Sequence, residues 1–145
     1  VWSRIRRADR NVHPALAGVT AAAAWAAAEP ALRRLFRTPY TDVRLIGAPL
    51  SRRHWRLAGT AVHLANGAAA GVVFHRLGLR GWKAGVLAAQ VESAALWPAM
   101  AVADRFHPDR RGGAWPPLLR NPRVFAQEAA VHALFGAILG LLVRD

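Results

Sequence analysis

The chain has 145 residues, a net charge of +12 and no cysteine; this is one domain by length, and disulfides, thiolate metal sites and cysteine nucleophiles are excluded together. Its 20 basic residues comprise 19 arginines and the single Lys83, and most lie between apolar stretches. Such a distribution marks the basic flanks of membrane spans, where anionic lipid is partner enough, and it calls for no nucleic acid.

Val1 stands where methionine would, so the start of the gene product is expected to lie upstream. Arg4, Arg6, Arg7 and Arg10 lead into a first apolar span, Pro14 to Leu32. With Ala26-Ala27-Ala28 near its end, this segment could pass for a signal peptide, but three further spans argue for a retained helix. Those spans are Leu57 to Phe74, Trp82 to Ala103 and Val124 to Val143, each close to the roughly 20 residues that cross a hydrocarbon core. Arginines bound all four, and Trp2, Trp55, Trp82 and Trp115 lie near span ends, where indoles favour the interface. Trp25 and Trp97 lie inside. A mean hydropathy of +0.14 keeps a soluble alanine-rich bundle as the alternative.

The segment after the first span carries Pro39, Tyr40, Gly47, Pro49, Arg52 and Arg53, and the one after the third carries Pro108, Arg110 to Gly113, Pro116 and Pro117. Both are read as loops outside the hydrocarbon. Gly78 to Gly81 is a tight turn, which predicts an antiparallel hairpin of spans two and three. The long loops carry 12 basic residues, against 8 on the other side, favouring cytoplasmic long loops.

Two spans contain the pattern His-x3-Gly-x3-Gly: His63, Gly67 and Gly71, then His132, Gly136 and Gly140. Gly59 and Glu128 precede them by one further turn. Residues four apart form a ridge on one helix face, and small residues in that ridge let transmembrane backbones approach closely. Spans one and three offer matching rows, Gly18 with Ala22, then Gly85 with Ala89 and Ser93. Gly18 precedes His63 by 45 residues and Gly85 precedes His132 by 47. The predicted fold is all-α, a four-helix transmembrane bundle built from a duplicated helix hairpin.

Depth brings the ionisable residues together. Asn66 and Glu92 fall near the middles of their spans, whereas Glu29, His63, Glu128 and His132 fall toward the long-loop side. A buried imidazole or carboxylate in a span is expensive, so it marks either a functional site or polar bonding between helices. The pairs expected are His63 with Glu92 and Glu128 with His132; Glu29, beside Pro30, would mark a helix end near water. His13, His54, His75 and His107 read as solvated surface.

No cofactor is called for. His63, Glu92, Glu128 and His132 could hold a transition metal, and the two histidines a haem, but Glu128-x3-His132 is not the Glu-x2-His spacing of di-iron bundles. The same groups could relay protons or bind a polar solute. No Ser-His-Asp set or phosphate-cradling glycine loop is present. Three readings follow: a non-enzymatic membrane protein with an inward-facing, structural or pH-responsive cluster; a membrane metalloprotein or carrier; and an accessory subunit whose glycine faces bind another membrane protein or a second copy.

The residues also resemble the YagU-like family of small inner-membrane proteins. The resemblance lies in Ala17-Gly18-Val19 through Trp25 and Glu29-Pro30, in His63, in Trp82 to Ala88 with Trp97-Pro98, and in Glu128 with His132. It implies a four-helix protein of the bacterial inner membrane associated with acid or envelope stress. The family has no established reaction, so the resemblance supplies no catalytic residue.

Overall fold

A computed structural model of the chain describes residues 12–143. Trp2, the four arginines before Pro14, and Arg144 therefore lie outside the described residues. Among those described, every regular element is helical, and four segments are long and apolar enough to cross a membrane.

Helix α1 (Pro14–Phe36) starts with proline in its first turn, where a missing N–H costs nothing, and ends on Arg37 in the left-handed region, φ 54°. The helix runs past the expected end at Leu32 to Phe36. Helix α3 (Trp55–Arg76) returns across the bundle and ends near the Gly78 turn. Helix α4 (Gly81–Leu96) crosses again, then tightens into a 3₁₀ turn over Trp97–Ala99, where Pro98 lacks the N–H of a regular ladder. Helix α5 (Met100–Phe106) completes that span. Helix α7 (Pro122–Leu142) starts at Asn121, whose side chain accepts from the backbone N–H groups of Arg123 and Val124.

Two shorter helices occupy stretches expected to be loop. Helix α2 (Asp42–Leu50) is capped by the Thr41 hydroxyl, which accepts from Arg44 N at 3.0 Å. Helix α6 (Pro108–Arg111) is a single turn. Gly47 and Pro49 read as loop punctuation, yet Gly47 sits in a helix because a Cβ there would fall on the Trp55 carbonyl of α3. It is a contact residue.

The bundle is held by two matched crossings. A Cβ on Gly18 of α1 would strike the Gly67 carbonyl and Gly71 N of α3, and a Cβ on Gly85 of α4 would strike the Gly136 carbonyl and Gly140 N of α7. Gly71 faces Pro14 O in the first crossing, and Gly140 faces Gly81 O in the second. Corresponding atoms thus meet in both halves, as a duplicated hairpin requires. The second half runs in the same sense as the first. These glycines make their close contacts inside the chain.

Helices α1 and α7 pack together at the centre, with α3 against α1 and α4 against α7. Their seam contains Ala17, Ala21, Trp25, Val131, Phe135 and Leu139. The expected hairpin of spans two and three is corrected by the structure. Although the turn joins them, α3 and α4 do not form one of the packed seams, and a cleft lies between them.

Candidate functional site

After Arg37 the chain does not leave the bundle. Thr38, Tyr40 and Thr41 are buried, and the chain turns back beside α1 before α2 climbs out along α3. Buried non-helical backbone persists only where protein satisfies its polar groups, and here two side chains do so. Gln127 donates from Nε2 to the Tyr40 carbonyl at 3.2 Å and accepts from the Thr38 hydroxyl. Glu29 accepts from Asp42 N through Oε1 at 2.5 Å. Glu29 is therefore no helix end near water: it is 4% exposed and holds the returning chain.

The return brings Asp42 to His63, about 12 Å down α3 at ~1.5 Å per residue. Asp42 Oδ2 lies 3.0 Å from His63 Nδ1, and His63 Nε2 lies 3.1 Å from the Ala22 carbonyl. The expected partner, Glu92, is replaced by Asp42, which came from a presumed loop. Because a carbonyl only accepts, Nε2 carries a proton. The short contact at Nδ1 then needs a second proton, on the imidazole or on the carboxyl group.

His132 differs. Its Nδ1 donates to the Glu128 carbonyl one turn earlier at 2.8 Å, and Glu128 Oε2 stands 3.8 Å from the same nitrogen. The expected pair is thus close, but the hydrogen bond goes to backbone. Trp25 lies between the histidines, its ring centroid 5.0 Å from that of His63 and 4.5 Å from that of His132. Glu128 is 3% exposed and lies beside the equally buried Tyr40 hydroxyl, the donor placed to meet its carboxyl group.

Asn66 and Glu92 face the cleft instead of the packed interior. Both are exposed, on α3 and α4, and both border two adjoining cavities of about 490 and 560 Å³. The first cavity reaches His63, Glu128 and His132 and passes Trp97 and Met100 near the loop end; the second reaches Leu79 at the turn. Among the described residues no three His, Asp or Glu side chains converge on one point as metal ligands do. The four residues expected to hold a metal are spread along the cleft wall.

Sequence reasoning missed Asp42, Tyr40 and Gln127, and misplaced His107. That imidazole is 3% exposed, stacked on Trp115 with centroids 4.5 Å apart. Its Nδ1 accepts from Asp109 N, and Asp109 forms a two-point pair with Arg44, both contacts at 2.7 Å. Asp104 closes the same cap by accepting from Leu118 N, Leu119 N and Arg110. His107 therefore belongs to a loop-end cap that joins α2 to α6. The chain matches no family model, no curated protein and no solved structure.

Proposed function

We propose that the chain is a proton-responsive protein of the bacterial inner membrane, not an enzyme, in which proton occupancy at His63 and Asp42 sets how firmly α2 is held. Kinship with the YagU-like proteins and a role in acid or envelope stress belong to the same proposal. The observation that carries it is the engagement of both His63 ring nitrogens by oxygen atoms, which leaves a proton to be shared with Asp42. The groups around His63 are Asp42 of α2, Glu29 and the Ala22 carbonyl of α1, and His132 of α7. Those around His132 are its own Glu128, Glu92 of α4, Asp42 and His63. Histidine is the side chain suited to physiological pH, and loss of the shared proton would set a lone pair against a carboxylate.

The test is ¹⁵N NMR of labelled histidine together with the Asp42 amide signal, in lipid nanodiscs across the neutral range. The Asp42 amide is expected to shift in step with His63 titration, and His63→Gln should abolish that coupled shift. An Asp42 amide indifferent to His63 titration would overturn the proposal.

A further inference from the structure

We infer that the cleft between α3 and α4 is a binding site for a lipophilic organic cation, one with an apolar body and an ammonium or phosphonium centre. Among the described residues no arginine or lysine lines either cavity, in a chain that has 20 of them. Three carboxylates line the first cavity: Asp42, Glu92 and Glu128. Asp42 is committed to His63 and Glu128 to the buried Tyr40 hydroxyl, whereas Glu92, among the described residues, has no ion pair. A carboxylate near mid-membrane is costly without a counter-charge, and Glu92, exposed to the cleft, is the one that a bound cation would satisfy.

The remainder of the wall suits the apolar body. Trp25, Trp97, Met100 and Phe135 supply aromatic and thioether surface, and indole faces attract cations. The volume falls within the roughly 300–1,000 Å³ of small-molecule sites. Because the cleft runs along the unpacked side of two spans, it is entered from the hydrocarbon. A phosphate headgroup or an organic anion would require the basic residues that the wall lacks.

The inference rests on the four helices as membrane spans, but not on the His63 proton, because binding is measured at one fixed neutral pH. Failure here would leave the coupled titration of α2 standing, and the reverse. Purified protein in phosphatidylcholine nanodiscs is titrated with radiolabelled tetraphenylphosphonium and, separately, with tetraphenylborate, an anion of similar shape. Saturable binding of one phosphonium per chain is expected, with no saturable borate site. Glu92→Gln, at an exposed position, should weaken phosphonium binding roughly tenfold while helix content by circular dichroism is unchanged. Equal saturable binding of both ions, an unsaturable cation isotherm, or phosphonium affinity unchanged in Glu92→Gln would each overturn the inference.

Discussion

Asp42 shows how one residue can tie a buried site to a returning chain. Its backbone N–H is held by Glu29 and its side chain by His63, so Asp42→Asn should release the imidazole without removing the backbone anchor. Breaking a buried pair from one side costs about 3 kcal/mol, and a loss near that size is expected in detergent unfolding of the variant; a loss below about 1 kcal/mol would place the pair among solvated contacts. The residue could not be found from spacing, since its partner is set by where the chain re-enters and Pro39-Tyr40 reads as loop. His63, His132 and Glu128 were legible because each lies on a glycine ridge that had to face inward. His107 provides a separate pH signal. Burial holds its imidazole below the ordinary value of 6.5, against weaker opposition from the Arg44 carbonyl and Asp109. A neutral ring favoured by folding contributes stability above that ordinary value and loses it as the pH falls below it. Thermal midpoints should therefore drop in mild acid for the native chain and drop less for His107→Asn; parallel profiles would refute this assignment.

At the scale of elements, the four spans were legible because apolar length between arginines is a composition signal, whereas α2 was hidden by the same glycine that makes it fit. Gly47 lies against the Trp55 carbonyl and Gly59 against the Val43 carbonyl, so the α2 and α3 backbones touch where any side chain would separate them. Gly47→Val should lift α2 from α3, take Asp42 away from His63, and leave the two main crossings intact. Gly18→Val and Gly85→Val strike corresponding backbone atoms and should destabilise the bundle equally, by about 3 kcal/mol, the upper end for overpacking, because a backbone carbonyl cannot turn aside as a side chain can. Thermal unfolding of the three variants in detergent checks this. A difference above about 1.5 kcal/mol between the Gly18 and Gly85 variants would mean that the crossings are not energetic equivalents.

At the scale of the molecule, the two hairpins are alike and their contacts with each other are not. The α1–α7 seam is closed by Trp25, seven residues after Gly18, which reaches His63, His132 and Phe135. The corresponding position seven residues after Gly85 is Glu92, and the corresponding seam, α3 with α4, is a cleft. An aromatic side chain gains by burial between helices, whereas a carboxylate loses its hydration there. The duplication was legible in the glycines; its asymmetry was not, since it turns on one residue in each half and on what that residue does to a seam. An apolar residue at position 92 should then let α4 close on α3. The absence of native cysteine makes the test direct: Ala70→Cys and Ala88→Cys line opposite walls of the second cavity, and a disulfide needs Cα atoms within about 7 Å. Oxidation should trap little cross-link in the chain with Glu92 and substantially more with Glu92→Leu. Equal trapping in both would show that Glu92 does not hold the cleft open, and that the asymmetry of the two halves has another cause.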